Sequence, residues 1–308
     1  PYSNGSIIFS NPGAPFTAGY FKYKILNNEL YISFRRPDNI NQEEIYILIK
    51  KCKSNQIKEQ IFALEMFVKF KIYSAVPVIL ELLKSDHEII RFSTAEALSY
   101  LGKKELKSVG LALINLLTDP AELVRSQAVD SLGILNYKPA RKKIELLLIN
   151  DPSPLVRASA AETIGDLGDF NSLNCLQLAM KDWDTAVRGY TANSLGIIGK
   201  KELIPQLQIY INSEDSFEVK AELLVAQYRL GKAESLNDLL SLLAKADEDL
   251  AIVILNIFDD LLERKTPLIT NTNIVDICQV LKLIEQKFLI LAPHSKNLII
   301  KCEKINYF

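Results

Sequence analysis

"DPSPLVRASAAETIGDLGDF" occupies residues 151–170. It opens on an Asp-Pro pair, places Val156, Ala160, Ala161, Ile164 and Leu167 at intervals of three and four, and closes on Gly168. That spacing lays one apolar stripe along a helix, and the alanines let a neighbouring helix come close. Related stretches stand on either side: "HEIIRFSTAEALSYLG" from 87, "AELVRSQAVDSLGILN" from 121, "DTAVRGYTANSLGIIG" from 184 and "SFEVKAELLVAQYRLG" from 216. A segment restated at a fixed interval is architecture before it is chemistry.

The basic residue of each copy serves as an anchor. Arg91, Arg125, Arg157, Arg188 and Lys220 are separated by 34, 32, 31 and 32 positions. Eleven residues after each anchor come Gly102, Asn136, Gly168, Gly199 and Gly231. A helix often ends on a residue of positive φ, which glycine adopts freely and asparagine tolerates. Asp119-Pro120, Asp151-Pro152 and Asp182-Trp183 begin three of the units. Asp followed by Pro is a favoured helix entry, since Asp accepts from orphan amides and Pro has none to offer.

Between these helices lie "SAVPVILELL", "VGLALINLL", "ARKKIELLLI", "SLNCLQLAM" and "ELIPQLQIYI". Each unit is therefore a helical hairpin that cannot bury its stripe alone, and stacking the hairpins gives an all-α, right-handed α-α superhelix. A weaker unit with Lys58 as anchor precedes them, and the pattern decays after Gly231, as capping units should. The expected organisation is an extension over 1–40, repeats over 41–232, and a degenerate repeat with capping helices over 233–308. Within the extension, "GYFKYKILNNELYISFRRP" alternates strictly. It reads as a short N-terminal β-hairpin turning at Asn27-Asn28, with Ile25 opposite Leu30, Tyr23 opposite Ile32 and Phe21 opposite Phe34. A lone hairpin is marginal in water, so it should dock its aromatic face on the first helices or serve as a flap for a partner.

Composition narrows the function classes. The chain of 308 residues has a formal charge of −1, which gives no global attraction for nucleic acid or an acidic membrane. Apolar residues make up 48%, and no uncharged stretch approaches the ~18 residues of a membrane span. No basic-then-apolar opening suggests secretion, so the chain reads as cytoplasmic. Cys52, Cys175, Cys278 and Cys302 lie far apart without metal-ligand spacing, and read as reduced, buried small hydrophobes. His87-Glu88 is a lone pair and His294 sits in the loop-like "LAPHSK", so no metal site is expected. The run "YKPARKK" at 137–143 reads as solvated, and no phosphate loop or GxSxG is present.

The consensus Asp-x-x-x-x-Val-Arg-x-x-Ala-x-x-x-Leu-Gly resembles the short HEAT-like repeat named for the phycobilisome lyases. "DPSPLVRASAAETIGDLG" and "DWDTAVRGYTANSLGIIG" carry the likeness, which spans residues 43–231. Repeat number, chain length and the N-terminal element make the whole similar to the E/F-type bilin lyases, with a phycoerythrin-directed enzyme as the nearest kind. The resemblance implies attachment of an open-chain tetrapyrrole, phycoerythrobilin or phycocyanobilin, to a cysteine of a phycobiliprotein subunit, with or without isomerisation. The bilin is then a substrate, no cofactor is permanently bound, and a second lyase subunit is an open requirement. The competing class is a HEAT-repeat interaction scaffold or chaperone without chemistry, acting in phycobilisome assembly or degradation.

A bilin asks for a carboxylate at its protonated nitrogens, cations at its propionates and flat apolar walls. The acceptor protein supplies the thiol, so the lyase needs only held geometry and a proton source. In such a solenoid the second helices line the inner wall. Five residues after the anchors stand Glu96, Asp130, Glu162 and Asn193, a polar row at the edge of the apolar stripe, with rungs about 10 Å apart. Glu162, Asp130 and Asp166 are the candidate proton-handling groups. Glu96, Asn193, Trp183, Tyr190, Arg157 and Arg188 are candidate ligand contacts. Trp183 replaces the prolines of sister units, and Gly189-Tyr190 breaks the pattern after Arg188, suggesting a flat slot. The bland alternatives stay open: a solvated acidic row, ordinary aromatic packing, and arginines engaged with Asp119, Asp151 and Asp182 of neighbouring repeats.

Overall fold

The computed structural model describes residues 4–8, 20–26, 29–35, 40–263 and 271–305, with side chains over 40–263 and 274–304. Strands β1 (Asn4–Ile8), β2 (Tyr20–Leu26) and β3 (Glu29–Arg35) form an antiparallel sheet in the order β1-β2-β3. Ile25 pairs with Leu30, Tyr23 with Ile32 and Phe21 with Phe34. β1 is an addition that sequence periodicity does not reveal. The Asn27-Asn28 turn and the docking of the aromatic face lie outside the described residues.

The helices follow in pairs. Helix α1 (Gln42–Cys52) opens on a capping box in which Asn41 and Glu44 exchange hydrogen bonds of 2.9 Å, and α2 (Ile57–Lys69) packs on it. Then come α3 (Val76–Glu81) and α4 (Glu88–Leu101), α5 (Leu106–Leu116) and α6 (Glu122–Ile134), and α7 (Arg141–Asn150) and α8 (Pro154–Leu167). Next are α9 (Leu173–Ala179) and α10 (Thr185–Ile198), α11 (Ile204–Ser213) and α12 (Phe217–Arg229), and α13 (Ser235–Lys245) and α14 (Glu248–Glu263). Helices α15 (Asn271–Lys287) and α16 (Ala292–Ile305) are the last of the described residues, and α16 takes in His294, which "LAPHSK" had suggested was in a loop. Among the described residues no helix is long and apolar enough to cross a membrane.

The second helices stack in sequence, α4 on α6, α6 on α8, α8 on α10 and α10 on α12. The stack is close because of a small-residue column that the apolar stripe hides. Six residues past the anchors, Ser131 donates to Ala95 O at 2.9 Å, Thr163 to Val129 O at 3.4 Å and Ser194 to Ala161 O at 2.7 Å. Opposite each hydroxyl or its equivalent is a glycine or small residue: a Cβ on Gly165 would lie 2.4 Å from Ser194 Oγ, and one on Gly196 2.6 Å from Ala226 Cα. Backbones approach and side-chain hydroxyls bridge them, so the ladder is both packed and hydrogen-bonded.

A second ladder lies at the repeat entries. Arg157 donates from Nε to Asp182 Oδ2 at 2.7 Å and from Nη2 to Oδ1 at 2.9 Å, while Nη1 reaches the Asp151 carbonyl at 2.9 Å. Arg91–Asp119, Arg125–Asp151 and Arg188–Glu214 repeat that fork. The aspartates are not helix caps. They sit two residues before the N-cap and accept from the amides of Ala121, Ser153 and Asp184 at 2.9 Å, turning the chain while holding the previous repeat's arginine.

The glycine endings also divide. Asn136, Gly168 and Gly231 have φ of +51°, +66° and +106°. Gly102 and Gly199 have negative φ. There the requirement is room: a Cβ on Gly102 would be 2.6 Å from Val109, and one on Gly199 2.3 Å from the Leu195 carbonyl oxygen.

Two apolar cores result, one running from α1 to α12 and one from α12 to α16. Helix α12 contributes Val219, Leu223 and Ala226 to the first and Ala221, Leu224, Val225 and Tyr228 to the second.

Candidate functional site

The stacking that buries the small-residue column leaves Glu162, five after Arg157, beside Ala186, Tyr190 and Asn193, two before, two after and five after Arg188, and Glu218 and Glu222, two before and two after Lys220, around one hollow. This hollow, between α8, α10, α12 and α14, is a cavity of about 550 Å³, bordered by Glu162, Gly189, Tyr190, Asn193, Glu222 and Asp260. That volume is in the range of small-molecule sites. Asn193 donates from Nδ2 to Glu222 Oε2 at 3.1 Å, tying α10 to α12 across the floor. Burial pushes the Glu222 carboxyl up to about 7, against the Asn193 hydrogen bond and the Arg229 charge, with Asp260 and Glu162 adding to the rise. Tyr190 is 43% exposed, and its phenol is raised by burial and by the charges of Glu162, Glu222 and Asp130. Arg229 pairs through Nη2 with Asp260 at one end, while its Nε and Nη1 are buried without a hydrogen-bond partner.

Residues 110–177 match the family model for HEAT repeats. The chain carries HEAT repeats. No curated protein matches the sequence. Among solved structures, a chain of the complex of CpcE and CpcF of phycocyanin lyase from Nostoc sp. PCC7120 is similar over 83% of this chain and 99% of its own, with TM-score 0.52 and 19% identity. A chain from the complex in which Kap95p binds RanGDP is similar over 85% of this chain and 47% of its own, with TM-score 0.51 and 13% identity. Both likenesses concern the fold.

Set on the HEAT frame, the sequence candidates fall into four groups. Glu162, Tyr190 and Asn193 come together in the cavity. Asp130 is half-buried on α6, outside the lining; burial raises its carboxyl, against a hydrogen bond from Ser159. Glu96 on α4 and Asp166, one turn beyond Glu162, are exposed and also outside the cavity. The arginines are engaged elsewhere. Arg157 and Arg188 spend their guanidinium forks on Asp182 and Glu214, and Arg188 borders a separate cleft of about 260 Å³ with Tyr210.

Trp183 does not form a slot with Tyr190. It is 74% exposed and lies over the Arg157 guanidinium, 5.2 Å from its ring centroid, on the entry side of α10. The Pro-to-Trp departure thus caps the arginine ladder, a cation–π contact.

Glu222, Glu218 and Asp260 line the cavity and are not among the sequence candidates. A signal for Glu222 exists: it stands two residues past its anchor, as Tyr190 does. The α12 unit has Lys220 for arginine and Val225 in the polar row, which hides the equivalence.

The chain's own thiols are poor nucleophiles. Burial raises Cys52 and Cys175 to about 11 and Cys302 to about 12.

Proposed function

We propose that the chain is a phycobiliprotein lyase, or lyase-isomerase, that holds an open-chain tetrapyrrole in the cavity and presents it to a cysteine of a phycobiliprotein subunit. The observation that carries the reading is the convergence of Glu162, Tyr190 and Asn193 with Glu222 in one hollow of ligand size. In this reading Glu222 and Glu162 face the pyrrole nitrogens, and the Tyr190 ring gives the conjugated plane a wall. The acceptor thiol adds to the ethylidene carbon, and a carboxyl of the cavity returns the proton. The bilin, phycoerythrobilin or phycocyanobilin, is substrate and not a resident cofactor. The fold likeness to a chain of the CpcE–CpcF complex supports a second lyase subunit as co-worker. The reading takes the stack as a right-handed superhelix in a cytoplasmic protein, with an extension over 1–40, repeats over 41–232 and capping elements over 233–308.

Adding a phycobilin to the purified chain should give a red-shifted, narrowed absorption band. Co-expression with bilin and phycobiliprotein subunits should yield a mapped bilin-cysteine peptide. Glu162→Ala or Tyr190→Ala should abolish transfer with helicity intact. No spectral change and no modified peptide, with candidate subunits and a second lyase chain present, would remove the reading.

A scaffold reading is favoured by a different observation. Ile89, Leu123 and Leu155 are exposed at the same position of α4, α6 and α8, and Leu111, Leu146, Leu178 and Ile209 are exposed along α5, α7, α9 and α11. Aliphatic rows of this kind mark protein contact surfaces. Stable capture of a phycobiliprotein subunit without any pigment transfer would select it.

A further inference from the structure

Each second helix of the middle repeats is packed on three sides. Helix α6 has α4 and α8 on its flanks and α5 behind it, and α4 and α8 are likewise backed by α3 and α7. The side left open carries the residues two before each anchor and those two, five and nine after it. Steps of four, three and four keep to one face of a helix. Because α4, α6 and α8 stack in sequence, their open sides join into one surface.

That surface has two apolar edges and an acidic middle. Ile89, Leu123 and Leu155 form one edge and Tyr100 and Ile134 the other, all of them exposed. Between the edges run Glu96 and Glu162, both exposed, and the half-buried Asp130, while Asp166 ends the second edge on α8. None of these positions on the three helices holds a Lys or Arg. The anchors Arg91 and Arg125 are turned to Asp119 and Asp151. Such a surface repels nucleic acid and acidic lipid. It matches a partner that is cationic along its middle and apolar at both sides.

Dimensions decide the fold of that partner. The two edges stand eleven residues apart on α4 and on α6, or about 16 Å at the rise of a helix. Neighbouring stacked helices lie about 10 Å apart. A helix is about 10–12 Å across with its side chains, so one laid along the stack can touch both edges. It returns to the same face every seventh residue, a rise of about 10.5 Å that matches the rungs. An extended segment covers about 10 Å in three residues, which sets consecutive rungs against opposite faces.

We propose that the open side of α4, α6 and α8 docks an amphipathic helix of a partner protein, with Lys or Arg at every seventh position and aliphatic residues on both flanks of that row. Glu96, Asp130 and Glu162 receive the cations, and the two apolar edges take the aliphatic flanks. Three rungs need about 15 residues of partner helix. The inference rests on the scaffold reading for the row of Ile89, Leu123 and Leu155. It goes beyond that reading in fixing the charge, fold and length of what docks, and it is independent of pigment chemistry.

The test is fluorescence anisotropy of the whole chain with a labelled helical peptide of about 21 residues, in which Lys at every seventh position is flanked by leucines. A second peptide has Glu in place of each Lys and keeps the leucines. The Lys peptide should bind at least about tenfold more tightly than the Glu peptide, and less tightly as salt rises. Glu96→Lys should weaken it by about tenfold and Leu123→Ala by about fivefold. Circular dichroism should stay unchanged in both, because both side chains are exposed. Ile209→Ala, at an exposed position of α11, should leave binding as it was. Equal binding of the two peptides, or binding of neither, would overturn the proposal. So would Lys-peptide binding untouched by both Glu96→Lys and Leu123→Ala, or lost in Ile209→Ala. Capture of a phycobiliprotein subunit decides the scaffold reading separately: capture without preference for the Lys peptide keeps the scaffold and removes this site.

Discussion

Asn193 Nδ2 and Glu222 Oε2 lie 3.1 Å apart, joining a residue of the repeated polar row to one outside it. The hydrogen bond does not offset the burial of the carboxyl, which is pushed up to about 7. A carboxyl raised on folding binds its proton more tightly in the native state. The stability this contributes is complete below the ordinary carboxylate range and lost as pH rises through about 7.

Glu222→Gln should therefore stabilise the chain at pH 8, by on the order of 2 kcal/mol, and change little at pH 5. Urea melts at the two pH values measure this. An equal shift at both would mean that Glu222 does not change its protonation between pH 5 and pH 8.

The arginine forks make a different prediction. Arg157 and Asp182 are almost completely buried, and Asp182 is subject to burial that raises its carboxyl and to hydrogen bonds from Arg157 and the Asp184 amide that outweigh it. Arg157→Ala leaves that carboxylate without its partner and should destabilise by about 3 kcal/mol. Arg157→Lys should recover less than half, because a point charge cannot reproduce the fork. Full recovery by lysine would show that charge, and not planar geometry, holds the repeats in register. Because Asp182 lies below the ordinary range on balance, its contribution is present at neutral pH and disappears only as pH falls through that lowered value.

Two glycine-to-alanine substitutions should act in opposite directions. Gly165→Ala pushes a methyl to 2.4 Å from Ser194 Oγ and should cost about 1–3 kcal/mol as α8 and α10 move apart. Gly189→Ala meets nothing and should stabilise by about 0.5–1 kcal/mol. Thermal melts of the pair check both, and a destabilised Gly189→Ala would show that α10 needs flexibility there.

Native thiols should resist modification. At pH 8, iodoacetamide should leave Cys52 and Cys302 unlabelled, since burial holds them near 11 and 12, and label all four cysteines after unfolding. Mass spectrometry of the two samples gives the answer.

The repeats were legible because the rule that writes them is local: an anchor, a stripe at three and four, and a terminating residue recur within each hairpin. Asn136 shows this well, since its φ of +51° is what an asparagine among glycines implies. What failed to show in sequence were relations between repeats. Gly102 and Gly199 look like turn glycines but are there for space. Trp183 looks like a binding aromatic because it interrupts a proline column, yet the residue beneath it is the Arg157 of the preceding repeat. The polar row led to Glu162 and Asn193 but not to Glu222, whose helix substitutes both the anchor and the row position. Alignment within one helix cannot reveal which residues a neighbouring helix turns into the same hollow.

Helix α12 separates two rooms of one building. Its Leu223 side furnishes the stacked repeats and its Tyr228 side furnishes the C-terminal block, so neither can be vacated without stripping a finished wall. Cutting the chain after Gly231 would leave Ala221, Leu224, Val225 and Tyr228 facing water, and would also remove Asp260 from the mouth of the cavity. The region that looks like a fading echo of the repeats is thus a party to both the integrity of α12 and the shape of the binding hollow.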